Sequence, residues 1–121
     1  MAGIALLSLA GALAIIFSTR WGPWAYSDSS VYIVSARNLL QGGYLGFYAP
    51  SGSLELLVHH PPFYPLCLSF FGLFGVELLT AARWLNVLLF SATIFMVGAF
   101  THRLLRSTWL AIILSIVTLI M

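Results

Sequence analysis

The stretch that decides the fold is LLTAARWLNVLLFSATIFMVGAFT, residues 78–101, which carries a single charge, Arg83, near its start. A helix needs about 20 mostly apolar residues to cross the hydrocarbon core of a bilayer, so this stretch predicts a membrane-spanning helix. Residues 2–19 form a second, uncharged run, and residues 108–121 begin a third. The whole chain is 61% hydrophobic and only 7% charged, whereas soluble domains are about 25% charged. We therefore expect an all-α integral membrane protein.

The connections between the apolar runs predict the topology. Arg103 and Arg106 lie in a short turn between two apolar runs, which is typical of the cytoplasmic side. Residues 63–74 are apolar but would reach only about 18 Å as a helix, too short to cross. The N-terminus is then inside, and residues 20–77 form a large extracytoplasmic loop. In a bacterium or archaeon this places the chain in the inner or plasma membrane. We do not expect Met121 to be a natural end, since the last run is too short to span.

The predicted external loop contains two candidate interfacial helices. Residues 29–41 have an apolar face and a polar face, with Asp28 placed as N-cap and two glycines as a stop signal. Residues 63–74 follow a Pro-Pro pair and form the second candidate, which could lie in the interface or tilt into the membrane as a partial crossing. Residues 44–55 are rich in Gly, Ser and Pro and are expected to be a loop. Residues 54–58 are left open between loop and a short extended segment.

Asp28 is the most informative polar residue, because the chain has only three acidic side chains. As a helix cap it would stabilise the helix by about 1 kcal/mol. As a carboxylate beside apolar and aromatic neighbours at a membrane surface it could instead serve as a general base. Glu55 and Glu77 are interpreted as solvated loop residues.

Three other polar residues are candidate binding groups. His59 and His60 precede the Pro-Pro pair and suit contact with an anion such as a phosphate. A metal site is disfavoured, because adjacent histidines point apart and no third ligand lies nearby, so we expect no metal. Arg83 is costly inside a membrane unless it is paired, reaches the interface, or binds an anionic headgroup or Asp28.

The net charge of +2 is too small and too dispersed to suggest nucleic-acid binding. The sequence contains no glycine-rich phosphate loop, nucleophile elbow or zinc signature, so a nucleotide cofactor is not expected.

Four segments in order carry a family resemblance. An apolar helix is followed by the aromatic-rich segment around Asp28, then VYIVSARNLLQGGYLGFY (31–48), HHPPFYPLCLSFFGLFG (59–75) and TAARWLNVLLFSATIFMVGAF (80–100). This order resembles the N-terminal region of GT-C fold glycosyltransferases, in particular the protein mannosyltransferase and aminoarabinose transferase group. The resemblance covers residues 6–105.

The resemblance implies an inverting glycosyltransferase that uses a polyprenyl- or dolichyl-phosphate sugar at the outer membrane face. It implies that Asp28 is the catalytic base, that His60 lies near the donor phosphate, and that Arg83 opens the second membrane helix. It implies no metal or other cofactor, and it implies that the remaining helices of the same protein complete the donor cavity, so this chain alone should be inactive. Many relatives carry Asp-Glu where this chain has Asp28-Ser29, which leaves Asp28 as the one acid in the motif.

A non-enzymatic hypothesis stays open beside this one. The chain would then belong to a transporter or an assembly subunit whose external loop packs against partners, with Asp28 as a helix cap and Arg83 as an anchor.

Overall fold

The computed structural model describes residues 1–22, 27–49, 51–58 and 60–121. Within these ranges the chain is mostly helical, and it also contains one two-stranded antiparallel sheet. The order of elements is α1 (Ala2–Ser18), α2 (Ser27–Gly42), β1 (Gly46–Tyr48), β2 (Leu54–Leu56), α3 (Phe63–Leu73), α4 (Leu78–Leu105) and α5 (Thr108–Ile120). The predicted helices are all present and confirm a mostly helical fold, to which the short β-hairpin is an addition that was not predicted.

By length and composition, α4 is the one helix in the described part of the chain that could cross a membrane. It has 28 residues, or about 42 Å at 1.5 Å per residue, and it continues four residues beyond the predicted end at 101. The helices α1 and α5 are apolar but shorter, with 17 and 13 residues. The 11 residues of α3 reach about 16 Å, roughly half of a hydrocarbon core.

The chain divides into two compact units. The first consists of Met1–Gly22 and Arg83–Met121, and therefore contains α1, most of α4, and α5. The second is Pro23–Ala82 and contains α2, the hairpin, α3 and the first residues of α4.

Helices of the first unit approach each other closely at small residues. A Cβ atom added at Gly11 of α1 would collide with Ile94 of α4, and one added at Gly98 of α4 would collide with Ser115 and Ile4. Glycine at these two positions therefore permits the close contact of helix backbones, as in helices packed within membranes.

Two hydroxyl groups connect the same helices. Ser8 Oγ on α1 donates a hydrogen bond to the Ser91 carbonyl on α4 at 2.7 Å. Ser115 Oγ on α5 donates to the Ile94 carbonyl on α4 at 3.4 Å. Each bond satisfies a polar side chain inside an otherwise apolar contact.

Large apolar side chains lie mainly on the outside of the first unit. Its fully buried positions include Ile4, Ile94, Ala111 and Ser115. Its exposed positions include two bulky aromatic residues, Phe17 at 69% and Trp109 at 78% exposure. Many other exposed side chains are aliphatic or aromatic, among them Leu6, Leu9, Leu13, Leu88, Phe95, Met96, Phe100, Ile113 and Ile120.

The turn between α4 and α5 is short and well defined. Arg106 adopts a left-handed conformation with φ of 50° directly after α4 ends. Ser107 then caps α5 by accepting a hydrogen bond from the Leu110 amide at 3.4 Å. Of the two arginines predicted in this turn, Arg106 lies in the connection, whereas Arg103 lies in the last turn of α4.

In the second unit, α2 packs against α3 through small residues and leucines. Ser69 Oγ on α3 donates to the carbonyl of Ala36 on α2 at 3.1 Å and to the Pro65 carbonyl at 2.8 Å. Ala36, Leu68 and Ser69 are buried, while Arg37 is exposed. The predicted division of α2 into an apolar and a polar face is confirmed.

The β-hairpin corrects the prediction of a loop over residues 44–55. Gly46 pairs with Leu56 and Tyr48 pairs with Leu54. The turn is closed by the Ala49 amide, which donates to the Ser53 carbonyl at 2.9 Å. Asn38 Nδ2 on α2 donates to the Gly46 carbonyl at 2.8 Å and so fixes the hairpin to the helix. Strands of three residues are too short to show an alternation of apolar and polar residues in the sequence. The hairpin also has a tertiary contact, the hydrogen bond from Asn38, that no local pattern predicts.

Candidate functional site

The prediction placed Asp28 at the N-cap of α2. In the structure this helix already includes Ser27, so Asp28 lies in its first turn. An acidic side chain in this turn interacts favourably with the partial positive charge of the helix N-terminus. Its side chain is 79% exposed. In the described part of the chain, the Asp28 carboxylate therefore lies at an exposed surface.

His60 comes from the segment before α3 and lies beside Asp28. Its Nε2 atom is 3.9 Å from Asp28 Oδ1, and its side chain is 27% exposed. This distance is too long for a direct hydrogen bond, but it suits an ion pair when the imidazole is protonated. The structure thus brings together two of the sequence-predicted site residues. His59, the third, lies outside the described residues.

Two tyrosines pack around the imidazole. The Tyr32 ring contacts the His60 ring edge-on, with centroids 5.6 Å apart and an interplanar angle of 89°. Tyr32 also contacts Tyr64 of α3 at 5.6 Å and 60°. Neither tyrosine was expected at the site from the sequence. The available signal was the spacing of Asp28 and Tyr32, which places both on one face of a helix. We call these four residues, Asp28, Tyr32, His60 and Tyr64, the acid–imidazole cluster.

Arg83 is held by the end of α1. Its Nε donates to Thr19 Oγ1 at 3.0 Å and its Nη2 donates to the Ile16 carbonyl at 3.0 Å. Thr19 Oγ1 in turn donates to the Ile15 carbonyl at 2.6 Å. The guanidinium therefore satisfies the unpaired carbonyl end of α1, where a cation is favoured by the helix dipole. Arg83 and the acid–imidazole cluster belong to different units, and a substrate-binding role for Arg83 stays a prediction.

Glu77 has a structural role that the loop interpretation missed. Its carboxylate accepts hydrogen bonds from the amides of Leu79 at 2.9 Å and Thr80 at 2.7 Å, at the start of α4. These backbone hydrogen bonds, with a smaller contribution from the charge of Arg37, hold the pKa of Glu77 below its usual value. The sequence signal was an acid directly before a long apolar helix.

The hairpin carries a second pair of tyrosines away from these groups. Tyr44 Oη donates to Tyr48 Oη at 3.3 Å. This hydrogen bond is the main reason that the pKa of Tyr44 is raised above its usual value.

An apolar groove of about 330 Å³ lies between α2 and α3. None of the four cluster residues lines it; its walls are formed by Leu39, Leu40, Leu66, Ser69, Phe70 and Leu73. The polar chemistry of this unit is therefore at an exposed surface rather than in this groove.

The cluster offers one carboxylate and one imidazole to a bound molecule. No group of three or more potential metal-ligating side chains occurs among the residues that the structure describes. The carboxylate can accept a proton from a bound molecule. The imidazole, when protonated, can place a positive charge beside an anion.

Comparisons with models of protein families, with curated proteins and with solved structures found no significant match. The resemblance to GT-C glycosyltransferases therefore stays a prediction that depends on the order of the sequence motifs.

Proposed function

We propose that the chain forms part of a membrane glycosyltransferase. This enzyme would move a sugar from a polyprenyl-phosphate donor to an acceptor hydroxyl at the extracytoplasmic face of the membrane. Asp28 acts as the base, and His60 lies next to the leaving phosphate.

The observation that carries this proposal is the contact of 3.9 Å between Asp28 Oδ1 and His60 Nε2. The two residues come from different segments of the chain, and the sequence motifs had assigned them to the two ends of one reaction. Their proximity provides a proton acceptor and a potential cation within a few ångströms of each other. An exposed surface gives both groups access to a substrate held partly by other parts of the protein.

The proposed reaction is a single displacement. The acceptor oxygen attacks the anomeric carbon of the donor sugar while its proton passes to the Asp28 carboxylate. The bond between the anomeric carbon and the phosphate oxygen breaks, and its electron pair leaves with the polyprenyl phosphate. A protonated His60 stabilises the negative charge that develops on this phosphate. One displacement inverts the anomeric configuration, and neither a metal nor a nucleotide takes part.

Two features support a membrane location. The helix α4 is long and apolar enough to span a bilayer, although a single helix of this kind is weak evidence by itself. In the first unit, helix contacts use glycine and serine, while large apolar side chains such as Leu88 and Phe100 face outward. This distribution suits lipid surroundings better than water. Arg103 and Arg106 then favour the cytoplasm for the α4–α5 turn.

The test is sugar transfer in membranes that contain the full-length protein, with a panel of labelled polyprenyl-phosphate hexoses and pentoses. Asp28→Asn removes the base but preserves the size of the side chain. Glu55→Gln is the matched control, because Glu55 is an exposed acid of the same unit. We expect a loss of at least about 100-fold for the Asp28 variant and a normal rate for the control.

The non-catalytic alternative has one observation in its favour, the 79% exposure of Asp28. If the chain belongs to a transporter or assembly subunit, Asp28→Asn should leave the activity of the protein unchanged. Normal transfer with the Asp28 variant would rule out Asp28 as the base, whereas the absence of transfer by the wild-type protein across the whole donor panel would overturn the proposed function in favour of this alternative.

A further inference from the structure

Tyr32 lies at the centre of the acid–imidazole cluster, although the proposed reaction assigns it no part. It is half-buried on α2, one helical turn after Asp28. Its ring contacts both His60 and Tyr64, each with a centroid separation of 5.6 Å. It is therefore the residue that connects the acid-bearing helix with the segment that carries the imidazole.

The geometry of the contact restricts the imidazole. The planes of the Tyr32 and His60 rings are nearly perpendicular, at 89°, which is a favoured arrangement for aromatic pairs. A partial rotation of the His60 ring about its χ2 angle would lose this arrangement, because it changes the angle between the two ring planes. The ring contact thus fixes the plane of the imidazole, and within that plane Nε2 lies 3.9 Å from Asp28 Oδ1.

We propose that Tyr32 is a positioning residue that fixes the plane of the His60 imidazole beside Asp28. The contact uses the aromatic ring of Tyr32 and not its hydroxyl group. The proposal concerns the geometry of the cluster, and it depends on the proposed function only for its effect on the rate of transfer.

A purely structural role for Tyr32 makes a different prediction. A half-buried residue that only fills space between α2 and α3 can be replaced by another apolar side chain of similar size. Tyr32→Leu preserves an apolar side chain but removes the ring, whereas Tyr32→Phe preserves the ring and removes the hydroxyl. The two variants therefore separate ring contact from packing.

The experiment is NMR of the full chain in lipid nanodiscs with ¹³C- and ¹⁵N-labelled histidine. The His60 signals are assigned by their loss in His60→Gln. We expect nuclear Overhauser contacts between the Tyr32 and His60 rings in the wild-type protein. We expect Tyr32→Phe to preserve the His60 ring shifts and their change on Asp28→Asn. We expect Tyr32→Leu to abolish the response of the His60 signals to Asp28→Asn, with unchanged helix content; this response is the readout because loss of the tyrosine ring current shifts the His60 signals in any case.

A rate measurement completes the test. In the full-length protein, Tyr32→Leu should lower kcat by on the order of tenfold to a hundredfold with little change in KM. Tyr32→Phe should keep most of the wild-type rate. The proposal is overturned if Tyr32→Leu leaves the response of the His60 signals to Asp28→Asn intact. The absence of the ring-to-ring contact in the wild-type spectrum would also overturn it, even if Tyr32→Leu fails to fold. The spectra report on Tyr32 whether or not the protein proves to be a glycosyltransferase, so the two proposals fail separately.

Discussion

Nε2 of His60 lies 3.9 Å from Oδ1 of Asp28, although the two residues are separated by α2 and the β-hairpin. The packing of α2 on α3 produces this contact, because the first turn of α2 meets the segment just before α3. The buried hydroxyl of Ser69 and the carbonyl of Ala36 fix the two helices together. The candidate site is thus a consequence of helix packing rather than of local sequence.

His60→Gln tests the contribution of the imidazole. We expect transfer to fall by about 100-fold, since the cationic group beside the leaving phosphate would be lost. The unfolding free energy should fall by no more than about 2 kcal/mol, because an ion pair with the exposed Asp28 contributes little and the edge contact with Tyr32 contributes about 0.5–1.5 kcal/mol. Parallel measurements of transfer and thermal unfolding check both statements. A large loss of stability with proportionate loss of activity would assign His60 a structural role.

Glu77→Gln tests the cap of α4. The carboxylate accepts two amide hydrogen bonds, and loss of a cap costs about 1 kcal/mol. Hydrogen exchange at the amides of Leu79 and Thr80 should increase, while exchange in α5 should not. Glu55→Gln is the control, because Glu55 lies on β2 and does not precede a helix. Equal exchange in the two variants would contradict the capping role.

The same residue predicts a pH dependence. The pKa of Glu77 is lower in the folded chain than its usual value, so folding favours the carboxylate form. The stabilisation is fully present above the usual pKa of 4.5 and is lost as the pH falls through the lower folded pKa. Hydrogen exchange at Thr80, corrected for the intrinsic exchange rate, should therefore increase on acidification in the wild type. In Glu77→Gln this acid-dependent change should be absent.

Arg83→Gln tests the contact between α4 and the end of α1. The variant loses hydrogen bonds to Thr19 Oγ1 and the Ile16 carbonyl, and we expect a loss of about 1–3 kcal/mol in unfolding free energy. A double-mutant cycle with Thr19→Val should give a coupling energy of at least about 0.5 kcal/mol. Additive effects of the two variants would show that the contact does not stabilise the unit. An increase in KM for the donor, without loss of stability, would instead support the predicted role of Arg83 in substrate binding.

Gly11→Ala tests the close packing of α1 on α4. The new methyl group would collide with Ile94, and overpacking costs about 1–3 kcal/mol. Gly3→Ala is the matched control, because its methyl group would meet Ile112 at an ordinary 3.7 Å. Ile94→Val removes the Cδ1 atom in the way and should rescue Gly11→Ala. Equal thermal stability of the Gly11 and Gly3 variants would contradict this packing.

The apolar runs and the helix-capping residues in the sequence predict much of the fold. The apolar runs predict the helices, and their bounds agree within four residues with α1, α3, α4 and α5. The hairpin was missed because its strands are short and depend on Asn38. The cap formed by Glu77 follows from a local pattern and could have been recognised.

The residues of the candidate site can be predicted only in part from the sequence, and the reason is physical. Asp28, His60 and Arg83 stand out in the sequence because charged and titratable residues are scarce. Their partners depend on tertiary packing: Tyr32 reaches His60, and Arg83 reaches Thr19. No local rule connects residues so far apart in the chain.

The most direct test of the account is a double-mutant cycle on the rate of sugar transfer, with Asp28→Asn, His60→Gln and the combination. If Asp28 and His60 act in the same displacement, the rate of transfer should fall by at least about 100-fold in each single variant. In the double variant, the rate should fall by much less than the product of the two single losses. A normal rate of transfer in Asp28→Asn would contradict the account.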